Sequence, residues 1–480
     1  MTSAPDTPAA TTSAPTAEPP LPKANVRTLL ALAWPVVLAR SSQSVVGVCD
    51  AAMSAPLGGA ALAATTTGAL NTFAFMILPM GTAFIVQSYA AQLFGRGDHV
   101  AVQRYAWYGL VLAAVAMAIS LACLPLIGPV IGWFSYEPRV HDLMTEYMVI
   151  RVASTGAVVG TEALGNWFAG QGNTRVQMRA SVVTMLANVA LNWVLIYGKL
   201  GAPAMGVAGA ALASTISSWI GFGVVVVAWM RARRALGLQG PLGPLGTLGL
   251  TRSEFLRMLR FGLPNGFNWF MEFAAFILFI NAIVAPLGTT VVAAFNVVLQ
   301  INSISFMPAF GLASAGAILV GQAIGRGAAD SVGGIVRMTA TVMMVWQVSV
   351  GVVYLTLPEL LMHGFAPPEG IEGWIAVGGV MLAISGVWQV FDALGLAFGE
   401  ALRAAGDTAW CLWARLAIAW CVFIPTAYLF VTVRAGGPTA VMWCVVFYLA
   451  CLAVALGFRF RSGAWRRIQL TGQEDPILAS

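Results

Sequence analysis

Apolar residues run through this chain in long blocks separated by short polar breaks, and the block length carries the first information. Twelve such blocks fall at roughly 28–55, 60–90, 102–132, 144–170, 178–198, 207–230, 256–285, 290–324, 334–358, 374–402, 409–432 and 438–458. Each is near or above the ~20 residues an α-helix needs to cross ~30 Å of hydrocarbon. The longer ones must tilt, kink or project from the membrane. The pattern predicts an all-α integral membrane protein of twelve transmembrane helices.

Composition agrees. Hydrophobic residues make up 59% of the 480 residues and charged residues only 9%, against about 25% charged in soluble domains. The basic residues then orient the bundle. With the N-terminus inside, the cytoplasmic loops receive nearly all of the Arg and Lys. The outer side receives only Arg139, Lys199 and Arg434, while Arg40, Arg151 and Arg415 fall within spans. That distribution obeys the positive-inside rule. It predicts a multi-pass protein of the cell (inner, cytoplasmic) membrane with both termini cytoplasmic. The formal charge of +6 therefore reports orientation, and no nucleic acid is expected as a partner.

The six cysteines lie in or beside apolar spans without a CxxC pair, and read as small core residues. The three histidines, His99, His141 and His363, fall in loops, too scattered to cluster around a metal. Residues 1–24, rich in Pro, Ala and Thr, lack the pattern of a cleaved signal and predict a disordered cytoplasmic tail.

The chain also repeats itself. Ala55-Pro56-Leu57-Gly58 returns as Ala285-Pro286-Leu287-Gly288, and Gln92-x-x-Gly95-Arg96-Gly97 as Gln322-x-x-Gly325-Arg326-Gly327, both at an offset of 230. Pro35 and Pro79 match Pro264 and Pro308 at 229, and Gly172-Asn173-Thr174 resembles Gly406-Asp407-Thr408 at 234. Matches in order at nearly one offset mean duplication. Each copy holds six spans, so both copies enter from the same side, a common transporter plan with the substrate cavity between the halves. The expected divisions are a lobe over 25–230, a Gly/Pro-rich, Arg-flanked linker over 231–255, a lobe over 256–460 and a cytoplasmic tail over 461–480.

Three carboxylates, Asp50, Glu272 and Asp392, sit inside the apolar blocks. A charge at mid-membrane costs about 2.5–3.5 kcal/mol on insertion scales, and such groups usually bind or relay cations or protons. The repeat gives none of the three an acidic counterpart, so they belong to one half each. Asp50 falls in the outer third of its span. Glu272 and Asp392 lie near the middle of theirs, where two carboxylates of the second half can share one cation, with backbone carbonyls completing an oxygen shell. Without a cation, like charges in a low dielectric force one to hold a proton. The pair therefore serves either a Na+ site, with Glu272 and Asp392 as ligands, or a proton site. Trp388 precedes Asp392 by one helical turn and offers a cation a π surface. Asn188 and Asn192, one turn apart, are placed to hydrogen-bond Asp50, and Gln43 completes the candidate polar set. The structural alternative is a buried acid paired with Arg40, Arg151 or Arg415. Glu162 carries both readings, and Glu400, close to Arg403, reads as an interfacial ion pair. The four matched prolines interrupt helical hydrogen bonding, as static kinks or as bending points.

Taken in order, these motifs resemble the multidrug and toxic compound extrusion (MATE) transporters, most closely the NorM-like branch, over about residues 28–460. In the first half the resemblance rests on Trp34-Pro35, Val48-Cys49-Asp50 followed by Pro56-Leu57-Gly58, Gln92-x-x-Gly95, Gly170-x-Gly172-Asn173-Thr174, Asn188-x-x-x-Asn192 and the run 206–211. In the second it rests on Pro264 with Glu272, Gln322-x-x-Gly325, and Asp392 followed by 401–408. It implies two six-helix lobes in a V shape and exchange of a cationic drug for Na+ or H+. It implies that Asp50 is the first-helix acid of proton coupling and drug release, and that Glu272 and Asp392 bind the coupling cation, with Trp388 beside it. Asn192 stands where the DinF-like branch carries an acid, and no acid lies between Glu272 and Asp330. A first-lobe Asp–Asp proton site and a span-eight acid are therefore not expected.

The function expected is a secondary active multidrug antiporter exporting mainly cationic organic compounds by alternating access. It needs no cofactor beyond Na+ or H+ as coupling ion, takes small organic cations and membrane lipids as partners, and acts as a monomer. The alternative is a flippase for a lipid-linked or other amphipathic precursor, which should line its cavity with several Arg residues. A membrane-embedded enzyme is not expected, because the spans offer no nucleophile–base pair or metal ligand set.

Overall fold

A computed structural model describes residues 24–235, 249–365 and 371–471. The expected N-terminal tail up to 23, the middle of the expected linker (236–248) and the tail beyond 471 lie outside the described residues. The first lobe comprises α1 (Val26–Ser54), α2 (Gly59–Ala83), α3 (Val86–Arg96), α4 (His99–Ala122), α5 (Ile127–Ile131), α6 (Pro138–Val152), α7 (Thr155–Gly170), α8 (Arg175–Tyr197) and α9 (Gly206–Ala235). The second comprises α10 (Arg252–Leu278), α11 (Thr289–Gly325), α12 (Val332–Thr356), α13 (Pro358–His363), α14 (Ile371–Ala405), α15 (Thr408–Leu416), α16 (Ile424–Ala427) and α17 (Gly437–Arg461). No strand occurs among the described residues, in keeping with a bilayer that favours helices because they bond their own backbone polar groups.

Eleven helical stretches among the described residues are long and apolar enough to cross a membrane. The missing one is the expected span 144–170, which divides into α6 and α7 at Ala153–Ser154. The reason is local. With 15 residues in α6 and 16 in α7, neither piece crosses by itself, and α6 also carries Arg139, His141, Asp142, Glu146 and Arg151. At the break Ser154 turns its hydroxyl onto the backbone carbonyl of Arg151 and receives the Arg151 guanidinium.

The duplication is visible in the backbone. Ala55–Leu57 and Ala285–Leu287 both form single 3-10 turns. Each is followed by a glycine in a conformation that a side chain would strain, Gly58 at φ 105, ψ 167 and Gly288 at φ 107, ψ 162. The prolines do not behave alike. The helix holding Pro79 breaks at Phe84–Ile85, whereas α11 runs unbroken for 37 residues through Pro308. Departures from regular α-helix concentrate instead in the second lobe, in π-helical turns at Phe279–Val284, Ala417–Phe423 and Tyr428–Val433.

One apolar cluster lies mainly in each lobe, with Tyr89, Tyr105 and Trp167 buried in the first and Phe279, Phe295 and Phe423 in the second, and Leu29, Leu32 and Ala33 of α1 join the second across the seam. Between lobes, α1 and α3 pack on α11, and α2 on α10. The polar contacts across this seam collect at one end, beside the turns after Arg96, Gly170, Gly325 and Ala405. There Arg403 donates to the Phe84 carbonyl (3.3 Å), to Ser88 Oγ (3.2 Å) and to Gln87 Oε1 (3.0 Å). Gln92 donates to the Ala404 carbonyl at 2.7 Å, and Gln322 to the Gly170 carbonyl at 3.0 Å. The start of the expected C-terminal tail joins the same end: Leu470 is buried in the first-lobe core, and Arg96 donates to Thr471.

Candidate functional site

Two cavities flank the seam, one in each lobe. The first-lobe cavity, about 480 Å³, contains Asp50, Gln43, Arg40, Arg151 and Glu162, and Met307 of the other lobe closes one wall. The second-lobe cavity, about 340 Å³, contains Glu272, Asp392, Glu400, Arg403 and Arg415, with Ile77 contributed by the first lobe. All three acids singled out in the sequence therefore face space rather than lipid or solid core.

Asp50 is held by neutral donors. Asn192 Nδ2 reaches Asp50 Oδ1 at 2.5 Å, and Ser214 Oγ reaches Oδ2 at 2.8 Å. Asn188 donates to Ser214 Oγ (2.9 Å) and accepts from Asn192 (3.2 Å), so the four side chains form one buried network. The helical spacing of the two asparagines makes this possible, because one turn places both on the α8 face that packs against α1. Ser214, from α9, is the member that sequence reasoning missed, and a hydroxyl in a Gly/Ala/Ser-rich helix gives no distinguishing signal.

The intramembrane arginines sort differently than the sequence allows one to decide. Arg40 pairs with Glu162 at 2.6 Å, and its guanidinium lies 5.4 Å from the Phe310 ring centroid and 5.8 Å from that of Phe84. Gln43 accepts from Arg40 at 3.3 Å, so it belongs to this pair and not to the Asp50 network. Glu400 pairs with Arg403, as its spacing suggests. Arg415 Nη1 lies 3.1 and 3.0 Å from the two oxygens of Glu272, and Tyr448 donates to Glu272 at 3.2 Å. Arg151 donates to the hydroxyls of Ser154 and Ser218 and lies beside Tyr147, and among the described residues it forms no ion pair with a carboxylate.

Two of the expected groupings are arranged otherwise in this conformation. A guanidinium, not an empty oxygen shell, occupies the place beside Glu272 that the sequence assigned to a cation shared with Asp392. Glu272 and Asp392 line one cavity, but in this conformation Asp392 is bonded to Gln347 (3.1 Å) and Glu272 to Arg415. Helix spacing alone does not reveal that α15 aims Arg415 at α10. Trp388 is buried in the second-lobe core, where it packs among apolar side chains, while Phe391 and Leu396 line the cavity near Asp392. Sharing a rough helix face with Asp392 did not give the indole the same neighbours. Gln347 and Tyr448 were also missed; Gln347, the sole amide in the apolar helix α12, was the legible signal.

Two six-helix lobes, each with an acid-bearing cavity on the seam, are now joined by a sequence match. Residues 35–194 and 265–429, one stretch in each lobe, match the family model MatE. The chain belongs to the MatE family. Among curated relatives, a probable multidrug resistance protein NorM of Thermotoga maritima is 28% identical over 343 residues, 71% of this chain and 72% of its own length. A probable multidrug resistance protein NorM of Rhizobium meliloti is 27% identical over 444 residues, 90% of this chain and 92% of its own. A solved MOP superfamily transporter from Pyrococcus furiosus superposes over 92% of this chain and 97% of its own with a TM-score of 0.81 at 21% identity, which shows a common fold. The chain is thus a NorM-like MatE protein and a multi-pass membrane protein.

Proposed function

We propose that this protein is a secondary active efflux antiporter that exports organic, mainly cationic, compounds in exchange for Na+ or H+. The NorM relatives, named as multidrug resistance proteins, support the export of drugs. The observation that carries the reading is the placement of Asp50, Glu272 and Asp392 in two cavities on the seam between lobes, where alternating access would expose them to one side at a time.

The loops at the latched end are the basic ones. In this reading that end is cytoplasmic, both termini lie inside, and the protein sits in the inner membrane as a monomer in an outward-facing state. Asp50, in its network with Asn188 and Asn192, governs drug binding and release. Glu272 and Asp392 carry the coupling ion, and for Glu272 this requires Arg415 to move away or to remain as a resident counter-charge. The protein makes and breaks no covalent bond, and it uses no cofactor beyond that ion.

Purified protein in liposomes, loaded with a fluorescent organic cation, tests the reading. Dye movement driven by a sodium gradient at equal pH, or by a pH step without sodium, is expected. No movement under either gradient would remove antiport.

A further inference from the structure

The first-lobe cavity contains a cation, Arg151, that none of its carboxylates bonds. Arg40 is neutralised by Glu162 at 2.6 Å, and both oxygens of Asp50 accept from Asn192 and Ser214. Among the described residues no carboxylate oxygen lies within 4.0 Å of Arg151. Its guanidinium donates instead to Ser154 Oγ and, at 3.4 Å, to Ser218 Oγ. Asp50, on the same cavity, attracts it without bonding it, and a guanidinium at membrane depth with no bonded counter-charge is costly. This one lines a cavity of about 480 Å³, within the range that takes a drug-sized ligand.

The walls of the same cavity are amphipathic. Phe73, Met76, Met80 and Met307 supply flexible apolar surface, which adapts to ligands of different shape. A planar guanidinium favours carboxylate and related oxyanions through paired, charge-assisted hydrogen bonds.

We propose that Arg151, with Ser154 and Ser218, forms an anion subsite that takes the carboxylate or other anionic head of an amphipathic ligand. The apolar body of that ligand rests on Phe73, Met76 and Met80. The inference deepens the efflux reading and rests on it: it gives the anionic head of a substrate a named place in the first lobe. The same chemistry arises from a soluble amphiphile or from an anionic lipid head.

Two dyes on one scaffold isolate the carboxylate. Rhodamine 110 has a free carboxylate and is a zwitterion; rhodamine 123 is its methyl ester and a net cation. Binding to the full chain in phosphatidylcholine nanodiscs is read by fluorescence polarisation. Wild type is expected to bind rhodamine 110 the more tightly. Arg151→Gln is expected to weaken rhodamine 110 about tenfold or more while leaving rhodamine 123 unchanged or tighter, and Arg151→Lys to recover part of the loss. The retained ester binding shows that the variant is folded. Adding phosphatidylglycerol to the discs identifies the source: competition against rhodamine 110 alone supports a lipid head, and no competition supports a soluble ligand. Equal loss of both dyes in Arg151→Gln would show that Arg151 only secures the α6–α7 break, and overturns the subsite. Rhodamine 110 that wild type binds no more tightly than rhodamine 123, and that Arg151→Gln binds as well as wild type, overturns the subsite and leaves efflux standing. Wild type that binds neither dye overturns both.

Discussion

Gly325 lies directly against the backbone of Gln92, so close that a Cβ on the glycine would overlap the Gln92 carbonyl group. The contact is reciprocal, because Gly95 meets Gln322 in the same way, with a Cβ there only 2.8 Å from the Gln322 Cα. The repeated motif Gln-x-x-Gly therefore crosses itself at the seam between lobes. Each glycine admits the other copy's backbone, and each glutamine side chain then reaches a carbonyl of the opposite lobe.

Gly325→Ala should loosen this crossing. The added methyl meets backbone, which has little room to yield, and overpacking of this kind costs about 1–3 kcal/mol. A lower thermal midpoint for the purified protein is the expected result, with Gly334→Ala, at an exposed helical glycine with open space around it, as the control. An unchanged midpoint would show that the lobes part here without cost.

Arg403 is the side chain with the most bonds across the latched end. Arg403→Ala is expected to shift the population away from the latched state. Labelling of Cys introduced at Met307, on the cavity wall, should slow from the opposite side and speed from the latched side. Identical labelling rates in both backgrounds would mean that Arg403 does not hold the state.

The Arg40–Glu162 pair is buried, with side-chain exposures of 12% and 3%. Arg40→Gln alone strands a carboxylate, and breaking a buried pair by removing one partner costs about 3–5 kcal/mol. The double variant Arg40→Gln with Glu162→Gln should regain most of that loss in thermal unfolding. A double variant as unstable as the single one would show that the cation–π contacts of Arg40 with Phe84 and Phe310 outweigh the ion pair.

Glu272→Gln and Asp392→Asn should each abolish ion-driven dye efflux while leaving the protein at normal level in the membrane. Asp50→Asn should impair drug release, since the amide keeps the shape but loses the charge that Asn192 and Ser214 surround. Full efflux by the Glu272→Gln, Asp392→Asn double variant would remove the second lobe from coupling. Normal drug release by the Asp50 variant would do the same for Asp50.

The sequence by itself determined the helical class, the duplication and the position of the acids along their helices. These follow from block length, which bilayer thickness sets, and from local motifs such as Ala-Pro-Leu-Gly, whose turn and glycine conformation recur in both lobes. It also placed Asn188 and Asn192 one turn apart, and that local spacing was enough to put both in the network around Asp50. What it left open were choices between helices. Which acid each intramembrane arginine meets depends on how helices distant in the chain rotate against one another, as with Arg40 and Glu162, 122 residues apart, or Arg415 and Glu272, 143 apart. The same rotation buried Trp388 in the core and left Arg151 on the cavity with hydroxyl partners rather than a bonded acid. Local hydrophobicity fixes that a helix crosses the membrane; only packing against its neighbours decides which face it turns to the cavity, and with it the charge that a substrate meets.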